Sequence, residues 1–263
     1  MPSIISEAQR CPEGRRTRPS VGQTGPPGAS RCLPDTPHRT AHRSFPDKPV
    51  WPMKRVIISA PWYSPLTRPH IALLRHGHTA WNRAGRIQGQ VDEPLDAQAR
   101  DHLARLRLPD DMAEANVVSS PLIRAIDTAR LVSGRAPQIV PELNEMDWGE
   151  WQGLRGVDLL ADADSGYRHI EDWGWDFQPP GGETPLMVWQ RIKPWIASVQ
   201  GANVAVCHIG VMRVLLARAT GWDFSGPALF QVKRDRLYML ERNDDGTLVF
   251  DNEPVRLIET DRQ

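Results

Sequence analysis

Three short apolar runs, at 70–74, 116–119 and 203–207, constrain the fold of this 263-residue sequence more than any other feature. Because the runs are apolar on both faces, they are typical of strands buried within a mainly parallel sheet. Helical patterns lie between the runs, and strands that alternate with helices predict a layered α/β fold. Near the end of the chain, 237–242 and 248–251 flank Asn-Asp-Asp-Gly, which predicts a hairpin.

The clearest helical pattern begins at a Ser-Pro pair, with Ser120 as predicted N-cap and Gly134 just beyond the helix end. A second pattern covers 184–199 and is capped by a Thr-Pro pair. Pro194 lies within it and predicts a kink. A third pattern covers 210–220.

Proline content and charge divide the chain near residue 69. Residues 1–69 hold 13 of the 24 prolines and 11 Lys and Arg against 4 Asp and Glu, a net charge of +7. Such a composition cannot bury enough apolar area to offset the entropy of ordering. We therefore predict a disordered, basic, Pro-rich extension over 1–69 and a folded domain over 70–260. A transit peptide and a true start at Met53 stay open for the extension.

Composition also narrows the class of protein. The whole chain has 32 Lys and Arg against 32 Asp and Glu, so charge favours neither a nucleic-acid nor a membrane partner. No apolar run approaches the ~18 residues of a spanning helix, and no apolar segment of a secretory signal follows the first arginines. Three cysteines without CxxC spacing predict no disulfide framework, so a cytoplasmic location is expected.

Residues suited to phosphate chemistry follow the predicted strands. Arg75 and His76 end the first run, His208 ends the third, and Arg124 falls in the first helical turn after the second. Ligands of open α/β sheets bind outside the carboxyl ends of the strands. Two imidazoles and two guanidiniums are therefore expected at one crevice, where the arginine forks would match the oxygens of a phosphoryl group.

A series of blocks over about residues 70–222 resembles the histidine phosphatase superfamily, the phosphoglycerate mutase-like family. Residues 75–82, Arg-His-Gly-His-Thr-Ala-Trp-Asn, resemble its RHGxTxxN signature. The later blocks, in the family's order, are Arg-Ile-Gln-Gly-Gln at 86–90, Ser-Ser-Pro-Leu at 119–122, Leu-Asn-Glu at 143–145, Gly-Glu-Trp-Gln-Gly at 149–153, Pro-Gly-Gly-Glu-Thr at 180–184 and His-Ile-Gly-Val at 208–211. The resemblance implies a three-layer α/β/α fold with a mainly parallel central sheet, and a catalytic domain over 70–260.

The same resemblance implies a role for each of seven residues. His76 is similar to the nucleophile that carries a phosphohistidine, and Glu145 to the proton donor and acceptor. The phosphate-binding positions are Arg75, Arg124, Asn82 and Gln88, with His208 as a further catalytic member of the clamp. Two arginines and a cationic histidine can neutralise the phosphoryl oxygens, so neither a metal nor another cofactor is expected.

The reaction implied is hydrolysis of a small-molecule phosphate ester, such as α-ribazole phosphate or a sugar or glycerate phosphate. Only 37 residues separate Glu145 from Glu183, which resembles the phosphatase branch rather than mutases with a long insertion there. A phosphoglycerate mutase-type phosphotransferase remains the alternative, and a non-catalytic phosphate-binding or scaffold protein the lesser one. A homodimer stays open.

Other residues have structural interpretations. Glu183 is expected to be a helix N-terminal acid favoured by the macrodipole. Cys207 is expected to be a buried structural thiol. Ile209 stands where the family usually has a small residue, and its bulk is expected to narrow the crevice. A group of aromatic residues is expected mainly to form a core beneath a cap: Trp148, Trp151, Trp173, Trp175 and Phe177.

Overall fold

The computed structural model describes residues 69–251 and 253–260, so the predicted disordered extension lies outside the described residues except for Pro69. The helices in the described part are α1 (Ala80–Arg83), α2 (Ala97–Leu103), α3 (Ile123–Ser133), α4 (Gly156–Ala161), α5 (Pro185–Ser198) and α6 (Ile209–Thr220). The strands are β1 (His70–Arg75), β2 (Leu106–Arg107), β3 (Asn116–Ser119), β4 (Gln138–Ile139), β5 (Ala202–Cys207), β6 (Arg236–Arg242), β7 (Leu248–Phe250), β8 (Val255–Arg256) and β9 (Ile258–Glu259). Short 3-10 helices are Asp110–Met112, Pro141–Leu143, Gly149–Trp151 and Ala163–Ser165.

The main sheet has seven strands in the order β4-β3-β5-β1-β6-β7, with β8 paired to β6. Strands β4, β3, β5 and β1 run parallel to one another, whereas β6 is antiparallel to β1, and β7 and β8 are antiparallel to β6. A separate two-stranded sheet joins β2 to β9. The three predicted apolar strands are therefore β1, β3 and β5, and they are adjacent in the middle of the sheet.

The pleat of β1 divides its side chains between two hydrophobic cores. Ile71 and Leu73 pack into the first core and Ala72 and Leu74 into the second. Helices α5 and α6 contribute to the first core, and α2 and α3 to the second. The sheet is the middle layer, which confirms the predicted three-layer α/β/α fold.

The helix ends agree with the sequence in most places. Thr184 caps α5, and its side chain accepts the Met187 N–H over 3.0 Å. Gly134 ends α3 in the left-handed conformation, at φ 67°. The predicted start of α3 is wrong, because the helix begins at Ile123 and Ser120 lies outside it. The Ser120 hydroxyl is instead hydrogen-bonded to His208, which follows the neighbouring strand β5.

The predicted hairpin is confirmed as β6 and β7, with Arg242 opposite Leu248. The aromatic residues also pack as expected: three are buried, and Trp175 and Phe177 are partly buried against the same core. Trp148 and Trp173 meet edge to face, with ring centroids 5.3 Å apart. Within the described residues, no helix combines the length and the apolar character needed to cross a membrane.

Candidate active site

Strand register brings the two predicted catalytic histidines together. Strands β1 and β5 pair in parallel with Arg75 opposite Cys207, so His76 and His208 follow at the same edge of the sheet. Their ring centroids are 5.1 Å apart, and both side chains are buried. The edge is the carboxyl-terminal one, where ligands of such sheets bind.

The hydrogen bonding of His76 fixes its tautomer. Its Nδ1 lies 2.6 Å from the carbonyl oxygen of Gly77. A carbonyl oxygen can only accept, so Nδ1 carries the proton and Nε2 keeps its lone pair. Burial, followed by His208 and Arg124, holds the pKa of His76 well below its usual value. The ring is therefore neutral at pH 7, which is the form a nucleophile needs.

His208 has the opposite tautomer. Arg124 Nε donates to its Nδ1 over 3.3 Å, so the His208 Nε2 carries the proton and donates it to the Ser120 hydroxyl over 2.7 Å. Burial, followed by the charge of Arg124, lowers the pKa of His208 well below its usual value. The expected cationic histidine is therefore neutral in this structure. A phosphate dianion bound beside His208 would raise the pKa of this histidine and favour its protonated form.

The Arg124 guanidinium is held in one orientation by the backbone. Its two terminal nitrogens donate to the carbonyls of Val91 and Gly89 over 2.6 and 2.7 Å. Arg124 is fully buried in the first turn of α3, as the sequence predicts. The position of this cation is thus set before any ligand binds.

Arg75 is the second buried cation of the predicted clamp. Its Nε has no solvent exposure and no hydrogen-bond partner in the described part of the chain. Burial, with a further contribution from Arg234, lowers its pKa to about 9, so it stays charged at pH 7. A buried, unpaired N–H is costly, and an anion that accepts from it would recover that cost.

The predicted proton donor Glu145 lies against the N-terminus of α6. Its carboxylate accepts the Met146 N–H over 2.8 Å and the Gly210 and Val211 N–H groups over 3.2 and 3.3 Å. Burial nevertheless raises the pKa of Glu145 above its usual value. A carboxyl with a raised pKa can hold a proton for a leaving group near neutral pH.

An ion pair braces the loop that carries Glu145. Arg191 on α5 binds both carboxylate oxygens of Glu183, at 2.8 and 3.1 Å, and donates to the backbone carbonyls of Glu142, Asn144 and Glu145. Glu183 also accepts the Asp147 N–H over 2.9 Å. Glu183 lies directly before Thr184, the N-cap of α5, so it stands at the helix N-terminus as expected, and its carboxylate additionally ties the loop to Arg191.

Asn82 and Gln88 lie beside the clamp and bond to each other. Asn82 Nδ2 donates to Gln88 Oε1 over 3.2 Å. Arg234 links the pair to His76, because it donates to the His76 carbonyl over 3.1 Å and to Asn82 Oδ1 over 2.8 Å. All seven predicted site residues therefore belong to one connected cluster.

Sequence reasoning missed three residues of this cluster. Ser120 follows β3 directly, so its strand-end position was a usable signal. Arg191 and Arg234 gave no signal, because one lies within a helix and the other in a charged loop far along the chain. Across the described residues, no group of three or more His, Cys, Asp and Glu side chains could hold a metal ion.

Comparisons with known proteins give a consistent picture. Residues 71–252 match the histidine phosphatase superfamily (branch 1). An adenosylcobalamin/alpha-ribazole phosphatase of Escherichia coli is 35% identical over 159 residues, 57% of this chain and 78% of the relative. A metal-independent phosphoserine phosphatase of Arabidopsis thaliana is 31% identical over 174 residues, 60% of this chain and 72% of the relative.

A solved structure of a mycobacterial glucosyl-3-phosphoglycerate phosphatase superimposes with a TM-score of 0.58 at 27% identity. The alignment covers 71% of this chain and 98% of that one. The mycobacterial structure shares the architecture described above, and the names of the three proteins specify different substrates.

Proposed function

The chain belongs to the histidine phosphatase superfamily, and from that membership we propose that it hydrolyses small-molecule phosphate esters through a phosphohistidine on His76. The protein is a phosphatase of this superfamily, like the relatives that it resembles. The observation that supports the proposed phosphohistidine is the hydrogen bond from His76 Nδ1 to the Gly77 carbonyl. That bond leaves Nε2 as the free nucleophilic nitrogen of a buried, neutral ring.

In the proposed first step, His76 Nε2 attacks phosphorus and the bond to the ester oxygen breaks. Arg75 and Arg124 balance the charge on the phosphoryl oxygens. Glu145 gives its proton to the leaving oxygen, for which its raised pKa suits it.

In the second step, the Glu145 carboxylate takes a proton from water, and the water oxygen attacks the phosphohistidine. The N–P bond breaks, which releases inorganic phosphate and restores neutral His76 and protonated Glu145. Every charge that this scheme needs is supplied by side chains, so we propose that no metal takes part.

The substrate is proposed to be a phosphate monoester of α-ribazole, a sugar or a glycerate. The names of the relatives support this range, since they specify alpha-ribazole, phosphoserine and glucosyl-3-phosphoglycerate phosphatases. A cytoplasmic location is proposed with it.

The test is inorganic phosphate release from a panel of esters, with and without a chelator, beside a mutase assay. A rapid quench with labelled substrate should trap an acid-labile, base-stable phosphoenzyme that His76→Ala abolishes. Label retained in His76→Ala, or a large loss on chelation that one metal restores, would refute the mechanism. Phosphoryl transfer to a second substrate hydroxyl without phosphate release would instead identify a mutase.

A further inference from the structure

We propose that Thr128 and Arg234 are positioning residues that aim His76, the proposed nucleophile, by fixing the peptide group between His76 and Gly77. The inference rests on the proposed hydrolase function and adds to it the contacts that orient the His76 ring. Both residues act through the backbone of the loop that follows β1.

Two side chains from distant parts of the chain bind opposite edges of this peptide group. The Gly77 N–H donates to the Thr128 hydroxyl over 3.0 Å, and Arg234 Nε donates to the His76 carbonyl over 3.1 Å. In a trans peptide the N–H and the C=O lie in one plane and point in opposite directions. The plane therefore cannot rotate without disturbing both hydrogen bonds.

The orientation of this peptide group decides where the His76 ring points. The ring is held by the hydrogen bond from its Nδ1 to the Gly77 carbonyl, and that carbonyl turns when the preceding peptide plane turns. Gly77 is also packed tightly, because a Cβ there would lie 2.7 Å from Leu103 Cδ1 and 3.1 Å from Leu95 Cδ2. The direction of the Nε2 lone pair thus depends on the two hydrogen bonds to the peptide group.

Thr128 also links the loop of His76 to the phosphate clamp. Its hydroxyl accepts the Gly77 N–H and donates to the Arg124 carbonyl over 2.7 Å, one turn earlier in α3. Thr128 and Arg124 are both fully buried. One buried hydroxyl therefore holds the loop of His76 at a set distance from the helical turn of Arg124. In-line attack on a bound phosphoryl group requires such a fixed distance.

The backbone that carries Arg234 is anchored by the residue that follows it. Asp235 binds His102 on α2 over 2.8 Å, and its carbonyl accepts the Leu257 N–H over 3.1 Å. The backbone of Asp235 is left-handed, at φ 58°, a conformation that a non-glycine residue keeps where its surroundings fix it. Arg234 Nη2 donates to Asn82 Oδ1 over 2.8 Å. The guanidinium is therefore held at both ends of the side chain.

Thr128→Val tests the proposal, because valine is close to threonine in shape but leaves the buried Gly77 N–H without an acceptor. The single-turnover burst should slow by about 10–100-fold, equally for an alkyl phosphate and for p-nitrophenyl phosphate, since attack by His76 is common to both. The inhibition constant of inorganic phosphate should change less than about threefold, because the Arg124 guanidinium keeps its backbone acceptors. Thr128→Ser should restore most of the rate.

The tautomer of His76 gives an independent measurement. Nitrogen NMR spectra, assigned by comparison with His76→Ala, should show His76 protonated at Nδ1 in the wild-type protein. Thr128→Val should add the form protonated at Nε2, which no loss of stability alone would produce.

Arg234→Met removes the hydrogen bond on the other edge of the peptide group. It should slow the burst with both esters, and the double variant should lose less than the product of the two single losses, because both changes release one peptide group. Arg234 is partly accessible to solvent, so this variant should fold even where Thr128→Val does not, and the same measurements then decide.

The control is Thr220→Val. The Thr220 hydroxyl donates to the Leu216 carbonyl over 2.8 Å, which is the bond to the preceding turn that Thr128 makes in α3. Thr220 is the last residue of α6, whereas His208 precedes the first, so the change lies at the opposite end of that helix from the site. The burst rate with both esters should be unchanged.

Unchanged burst rates in Thr128→Val and Arg234→Met would overturn the proposal, as would a loss confined to the alkyl ester, which would indicate an effect on proton transfer. A loss that Thr128→Ser does not restore, with the His76 tautomer unchanged, would also overturn it, because Thr128 would then act on stability alone. These outcomes leave the hydrolase function intact. A wild-type protein that releases phosphate from no ester and forms no labelled phosphoenzyme would instead overturn the proposed function.

Discussion

Replacement of Gly210 by alanine should move the proposed proton donor without unfolding the protein. A Cβ at position 210 would lie 2.5 Å from Glu145 Oε1 and 3.0 Å from Met146 Cβ. Ordinary contact begins at 3.4 Å, so the carboxylate must shift by about 0.9 Å. That shift also breaks the bonds from Gly210 and Val211, which are already long at 3.2 and 3.3 Å.

The expected size of the effect follows from this displacement. A misplacement of about 1 Å in a catalytic group can cost about 10²-fold in rate. Gly210→Ala should therefore slow phosphoenzyme formation from an alkyl phosphate by about 10²-fold. Gly210 has an ordinary helical backbone, and alanine is favoured over glycine in helices by about 1 kcal/mol. The free energy of unfolding should consequently change by no more than about 1 kcal/mol.

The assay is the single-turnover burst, measured with an alkyl phosphate and with p-nitrophenyl phosphate. The nitrophenolate leaves without a proton, so its burst rate should fall much less. In a Glu145→Ala background the added methyl group no longer meets a carboxylate, and Gly210→Ala should have almost no further effect. Equal losses for both esters, or additive losses in the double variant, would refute the argument from displacement.

Three further outcomes are expected. Glu145→Gln should slow the burst with an alkyl ester by about 10²–10⁴-fold and leave the p-nitrophenyl ester much less affected; equal losses would exclude proton transfer by this residue. Because burial raises the pKa of Glu145, kcat for an alkyl ester should fall as pH rises through that raised value, and Glu145→Gln should remove this decline. Because the pKa of His76 is lowered, kcat/KM should persist at pH values below the usual histidine range. Arg191→Met should lower the free energy of unfolding, measured by urea denaturation, by about 3 kcal/mol, because it leaves Glu183 without its ion-pair partner. An unchanged value would show that the Arg191–Glu183 ion pair contributes nothing to stability.

The sequence alone determined the layered fold and the place of the two histidines proposed to be catalytic. Apolar runs such as 70–74 and 203–207 are local patterns, and buried parallel strands are the structures that satisfy them. Once two such strands are neighbours, the residues that follow them must meet at one edge, which placed His76 beside His208. Arg124 was predictable for the same reason, since it falls in the turn after a third strand.

Only the tertiary structure decided the chemical state of these groups and the contacts that hold them. The tautomer of His208 depends on Arg124 and Ser120, which lie more than eighty positions earlier in the chain. The contacts of Glu183 were not predictable because its helix-terminal position is a local signal, whereas its carboxylate binds Arg191 and a loop that begins about forty residues before it. A sequence pattern specifies which element a residue occupies, but a pKa or a hydrogen bond depends on distances of a few ångströms between elements, and packing alone sets those distances.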